Sequence, residues 1–228
     1  MHKVVVVTGA SSGVGRALAY WYLNNGARVA VIGRDIRELD QIAQQYPSQA
    51  LAIQAELTTD QNLVDIRLAV AEKFGRLDIL VNCAGVIFAG STATTYPQDW
   101  DYLTDIHIRT PFLLTNFFLE FLKQSKGVVI NVSCEKASRP DPGLVGYSMC
   151  KSGMEMFTKS CALELAPFGI RMNAVSPSFI ASNLYRVTGM NEPELDSLTN
   201  RVIKNIPMGR VAAAAEVAKA VIFLTSEQ

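Results

Sequence analysis

Tyr147-Ser148-Met149-Cys150-Lys151 sets a phenol and an ammonium four positions apart, so on a helix both side chains share one face. A cation beside a phenol favours the phenolate and draws the tyrosine pKa towards neutrality, as a general acid for carbonyl reduction requires. An exposed tyrosine–lysine pair on a helix surface has the same spacing. The pair needs company before it carries chemistry. Near the amino terminus, Thr8-Gly9-Ala10-Ser11-Ser12-Gly13-Val14-Gly15 forms a GxxxGxG turn. Glycines there let backbone N–H groups approach a pyrophosphate and let the start of a helix face the anion. A tight strand-to-helix turn without a ligand would show the same glycines.

Both motifs need elements to hold them. Residues 4–7, 28–32, 51–54, 79–81, 128–132 and 172–175 are short, nearly continuous apolar runs, the pattern of strands buried on both faces. Between them lie helical stretches at 15–25, 36–46, 63–74, 100–123 and 148–166. Strand–helix alternation at this spacing predicts right-handed crossovers and a doubly wound, parallel, Rossmann-like α/β sheet in a single domain spanning 1–228. Residues 182–210 are polar, contain Pro193 and Pro207, and separate the last strand from the final helix. An insertion there sits at the carboxyl ends of the strands, where ligands bind, and is expected to act as a substrate lid.

Composition excludes several classes. Of 228 residues, 49% are hydrophobic and 18% charged, with 21 basic residues balancing 21 acidic ones. That is enough apolar material for a sizeable core. Zero net charge without a dense basic run argues against nucleic acid or an anionic membrane as partner. No apolar run approaches the ~18 residues needed to span a bilayer. Met1-His2-Lys3 runs straight into Val4, leaving no room for a signal peptide. Cys83, Cys134, Cys150 and Cys161 form no CxxC pair, and only His2 and His107 could join them. No metal site or disulfide framework is expected, and a reducing, cytoplasmic location is.

The two motifs do have company. Asn82-Cys83-Ala84-Gly85, Arg171-Met172-Asn173-Ala174 and Ser176-Pro177 fall with them in one order and spacing, and the chain resembles the short-chain dehydrogenase/reductases from residue 3 to about 226. The resemblance implies an oxidoreductase that moves a hydride between nicotinamide and a carbonyl or secondary alcohol. It makes Tyr147 the proton donor or acceptor, with Lys151 holding the ribose and lowering the tyrosine pKa. It lays the cofactor along Gly9, Ser11, Ser12, Gly13, Val14 and Gly15, with Asn82, Ala84 and Gly85 beside its adenosine half. Glu56, where an aspartate usually accepts from the adenine amine, and Leu57 extend that side. Pro177, Ser178, Ile180 and Ser182 are carried over as further contacts, Ser182 in place of a usual threonine and Ser178 in place of a usual glycine.

The departures carry weight. Family members place a serine thirteen residues before the tyrosine, where this chain has Cys134. A thiol is a weak donor, and Ser133 should face the opposite way on its strand. His107 stands where asparagine is typical, and Pro111 four residues later has no N–H to bond its carbonyl. A kink is expected there, and His107 is a candidate proton shuttle. Gly33-Arg34 follows the second strand where NAD-preferring members carry an acid. A guanidinium suits a 2′-phosphate, so NADP(H) is favoured over NAD(H), with Arg16 a possible contributor. The chain stops at Gln228, where members continue into a seventh strand, so that edge strand is expected to be lacking. The resemblance implies a homodimer through the 100–123 and 148–166 helices. Phe88, Arg139 and Pro140 are expected in the substrate pocket. The alternative is a catalytically impaired, nucleotide-binding protein (sensor, scaffold or subunit), for which Cys134 is the argument.

Overall fold

Strand β1 (Val4–Thr8) is four valines and a threonine, all buried. Val4 and Val6 enter one apolar cluster and Val5 and Val7 another, because successive side chains leave a strand on opposite faces. The computed structural model describes residues 3–180, 184 and 190–226. The remaining strands are β2 (Arg28–Gly33), β3 (Ala50–Gln54), β4 (Ile79–Asn82), β5 (Val128–Val132) and β6 (Arg171–Val175). All pairings are parallel, in the order β3-β2-β1-β4-β5-β6. Among the described residues the sheet has these six strands.

Helices cover both faces. On one side, α1 (Gly13–Asn24), α2 (Ile36–Gln45) and α9 (Ala214–Thr225) bury Leu18, Tyr22, Leu39, Ile42 and Val221 against Val5, Val31 and Ile130. On the other, α3 (Asp60–Phe74) and α7 (Val145–Leu165) join Leu63, Ile66, Tyr147 and Cys150 to Val6, Leu80 and Val129. Connections run outward in both directions from β1 and β4. The crevice at the carboxyl ends of those two strands is therefore where a ligand finds room.

The single helix expected at 100–123 is three. Residues Pro97–Thr104 (α4), Thr110–Phe117 (α5) and Leu119–Ser125 (α6) are helical, and Asp105–Arg109 forms one wide π turn between the first two. Pro111 explains the position: it cannot donate a backbone hydrogen bond, and the ladder widens just before it. The N–H of Thr110 reaches back to the carbonyl of Asp105. The widened turn carries His107 inward. Beyond β6, residues Glu192–Ile203 form α8, opened by a capping box in which Asn191 and Glu194 satisfy each other's backbone N–H. No helix among the described residues is long and apolar enough to cross a membrane.

Candidate active site

Tyr147 and Lys151 lie one turn apart on α7 and are both buried. The Lys151 Nζ sits 5.7 Å from the centre of the Tyr147 ring and donates to the carbonyl of Val132 at 2.8 Å. Burial draws the lysine pKa down to about 8, against an opposing pull from the thiols of Cys134, Cys83 and Cys150. The His107 ring packs edge-on to Tyr147 at 5.4 Å. Its Nε2 lies 2.8 Å from the carbonyl of Val86, so that nitrogen carries the proton. Its Nδ1 is buried without a partner among the described residues. Burial, with the Lys151 charge adding to it, holds the His107 pKa well below the usual imidazole value. His107 is a neutral acceptor inside the site.

Cys134 leaves the end of β5 with extended backbone and lines the same cavity as Tyr147, Lys151 and His107. Ser133 also belongs to the wall, but its hydroxyl is engaged towards α7: its Oγ donates to Glu155 Oε1 at 3.2 Å. Ser176 Oγ donates to the same carboxylate oxygen at 2.6 Å, tying the ends of β5 and β6 together behind the cavity wall.

The glycine turn is built by close approach. Gly9 has φ +69°, and a β-carbon there would come 2.9 Å from Ala84 Cα; one on Gly15 would strike the Gly9 carbonyl. Thr8 Oγ1 accepts from the N–H groups of Cys83 and Ala84, each at 3.0 Å, locking the turn to the end of β4. Ser12, which opens α1, makes no side-chain cap, and the first turn of that helix holds no acid. Its N–H groups and positive dipole end face the crevice.

One cavity of about 950 Å³ gathers these groups. Its wall includes Gly9, Ser12, Gly13, Val14, Gly15, Arg34, Ala84, Gly85, Pro177, Ser178 and Ile180. The Ser178 Oγ is buried there with no partner among the described residues. Several expected contacts stand behind the wall. Asn82 is buried, its amide donating to Asn131 Oδ1 at 2.9 Å, and Asn131 in turn donates to Thr158 Oγ1 at 2.8 Å. Leu57 is core, Glu56 pairs towards α4, and neither Ser11 nor Gly33 reaches the cavity surface. Gly33 instead makes room for Ser11, whose Oγ would lie 3.1 Å from a β-carbon at residue 33. Arg16 is engaged elsewhere, with Glu38 at 2.9 Å and over the Tyr20 ring. Arg139 and Pro140 line the substrate end as expected; Phe88 packs edge-on to Tyr102 instead. Ser182 lies outside the described residues. Leu198, Arg201 and Val202 of α8 close one side, and their helical spacing within 182–210 was the available signal. Cys83, which also lines the cavity, is pushed up to about 12 by burial. Among the described residues no three His, Cys, Asp or Glu side chains are grouped to hold a metal.

With this geometry in view, the family model for short chain dehydrogenases matches residues 3–192. The chain belongs to the short-chain dehydrogenase family. It is 30% identical to the 3-oxoacyl-[acyl-carrier-protein] reductase FabG of Thermotoga maritima, over 99% of this chain and 91% of that one. It is 33% identical to the 2-(R)-hydroxypropyl-CoM dehydrogenase of Xanthobacter autotrophicus, over 100% and 92%. In three dimensions it superposes on the 3-ketoacyl-(acyl-carrier-protein) reductase of Brucella melitensis, crystallised with NADH, with a TM-score of 0.90 and 30% identity over 99% and 91% of the two chains. Short-chain dehydrogenase membership makes the chain one of a family of oxidoreductases, and the six parallel strands are that family's Rossmann-like sheet.

Proposed function

We propose that this short-chain dehydrogenase is an NADP(H)-preferring oxidoreductase that interconverts a carbonyl and a secondary alcohol, with Tyr147 as general acid and base. The observation that carries the reading is the buried Tyr147–Lys151 pair in the wall of the cavity. The glycine cradle fits a pyrophosphate, which needs close backbone approach, and the unpartnered Ser178 hydroxyl fits a polar group at the far end. A nicotinamide dinucleotide bound along this cavity supplies or accepts the hydride.

The chain's own residues handle the proton. Tyr147 gives it to the alkoxide in reduction and takes it from the alcohol in oxidation. Lys151, held by the Val132 carbonyl, stabilises the phenolate and is positioned to hold the ribose hydroxyls. His107 presents Nδ1 as an acceptor beside Tyr147 and serves as a proton shuttle on the inner side. Cys134 offers a weak thiol donor to the substrate oxygen. Arg34 recognises the 2′-phosphate. Helix α8 (Glu192–Ile203) forms the lid over the substrate; residues 182, 183 and 185–189 of the expected lid lie outside the described residues. Exposed apolar side chains on α5 and α7, among them Phe112, Met149, Met156 and Leu163, form a two-fold dimer face. Four free thiols suit the cytoplasm.

Melting experiments with each nucleotide test the cofactor part. Ligand at ~100 times its dissociation constant adds about 2.7 kcal/mol. NADPH is expected to raise Tm more than NADH at matched concentration, and Arg34→Asp to remove that preference; equal shifts reject it. A panel of carbonyl substrates then tests turnover. A second reading, a nucleotide-binding protein with impaired chemistry, draws on Cys134 and on the Ser133 hydroxyl being turned towards Glu155. Tight NADPH binding without turnover on any carbonyl favours it.

A further inference from the structure

Arg34 is not a free guanidinium waiting at the end of β2. Its Nη1 donates to the Tyr102 hydroxyl at 3.3 Å and lies 3.9 Å from Glu56 Oε2. The Tyr102 hydroxyl in turn donates to the same Glu56 oxygen at 3.1 Å. Burial and the neighbouring carboxylate raise the Tyr102 pKa, keeping the phenol a donor. The other ends are fixed. Phe88 packs edge-on to the Tyr102 ring at 6.0 Å. Thr58 donates twice to Glu56 Oε1, each at 3.4 Å. Gln54 Nε2 donates to the Arg34 carbonyl at 2.9 Å. The backbone of Arg34 is thus pinned while its side chain is drawn towards α4, and that side chain remains 58% exposed.

We propose that Tyr102 and Glu56 form a latch on Arg34 that sets how strongly the chain distinguishes a 2′-phosphate from a 2′-hydroxyl, an inference that rests on Arg34 being the phosphate-recognising group. A guanidinium binds phosphate through a planar two-pronged fork. Turning that fork to a phosphate takes it from the phenol, and the Glu56 carboxylate repels the incoming dianion. A 2′-hydroxyl is neutral and asks neither. The latch therefore penalises the phosphorylated nucleotide alone and narrows a preference that Arg34 creates.

Calorimetric titration of the wild type, Tyr102→Phe, Glu56→Gln and Arg34→Ala with NADPH and with NADH tests this. Tyr102→Phe keeps the ring against Phe88 and removes only the hydroxyl. It is expected to tighten NADPH by about two- to fivefold, the range of an exposed polar pair, and to leave NADH unchanged. Glu56→Gln, which keeps acceptor oxygen but drops the charge, is expected to move the NADPH to NADH affinity ratio the same way. Weaker NADPH binding in Tyr102→Phe, or equal shifts for both nucleotides, overturns the latch. If Arg34→Ala weakens NADPH while Tyr102→Phe changes nothing, the latch alone falls. If Arg34→Ala leaves NADPH untouched, the phosphate role of Arg34 falls and the latch with it.

Discussion

The imidazole of His107 lies so close over Gly85 that a β-carbon on residue 85 would come within 2.8 Å of its Cε1. The ring cannot easily give way, because its Nε2 is bound to the Val86 carbonyl and it packs edge-on to Tyr147. Gly85→Ala should therefore cost about 1–3 kcal/mol, the usual penalty for overpacking. In a His107→Asn background the same change should cost less, since the shorter side chain leaves the space open. A coupling of about 0.5 kcal/mol or more between the two changes is expected from contact neighbours. Denaturant melts of the four proteins measure it, and strict additivity would show that the ring moves freely.

Cys134→Ser is expected to raise kcat on an activated ketone by roughly tenfold, since a hydroxyl donates a stronger hydrogen bond to a developing oxyanion and ~1.4 kcal/mol is a factor of ten. Nucleotide affinity should hardly change. Tyr147→Phe should abolish turnover in both backgrounds. Steady-state kinetics on the four proteins decide it, and an active Tyr147→Phe enzyme would end the proposed proton transfer.

Lys151 gives a pH signature in stability. Its folded pKa is about 8 against an ordinary 10.5, so between those values the unfolded chain binds the proton and the native one does not. Stability from this group therefore rises with pH across that window, by an amount on the order of a few kcal/mol at most. Cys83, raised to about 12 from 9.0, acts oppositely, because there the native state keeps the proton. The measurement is thus a difference: wild type minus Lys151→Met should gain stability between about pH 8 and pH 10.5. A flat difference would mean that Lys151 stays charged in the fold.

Leu163 is 82% exposed and Met156 61% exposed, both on α7. Phe112 of α5 packs edge-on to Phe157 of α7 at 5.9 Å, extending the same apolar surface. Replacing Leu163 and Met156 by glutamate should turn a two-fold dimer into a monomer in sedimentation, with nucleotide binding retained by the separated chains. A wild-type monomer at micromolar concentration removes the dimer reading.

Much of this was legible in the residues. The valine runs of β1 and β5 could only be buried on both faces, and the glycine turn and the Tyr147–Lys151 spacing marked the crevice. What escaped depended on long-range placement. Tyr102 reads as one more residue of a helix, and only the fold brings it to Arg34, 68 positions earlier. That the Asn82 side chain bonds to Asn131, and Asn131 to Thr158, is likewise visible only once β4 and β5 are paired. Pro111 announced an irregular helix, but that the irregularity is a π turn over Asp105–Arg109 is visible only in the fold.

Helix α8 forms part of the cavity wall, yet none of its residues is buried. A 12-residue helix with little tertiary anchorage is marginal in water, and its opening requires almost no disruption of the sheet. Its backbone amides should exchange with deuterium orders of magnitude faster than those of β1. With α8 as the proposed lid, the residence time of the proposed substrate should follow the local melting of α8, and a change that stabilises this helix in isolation should slow product escape while leaving the global unfolding midpoint where it was.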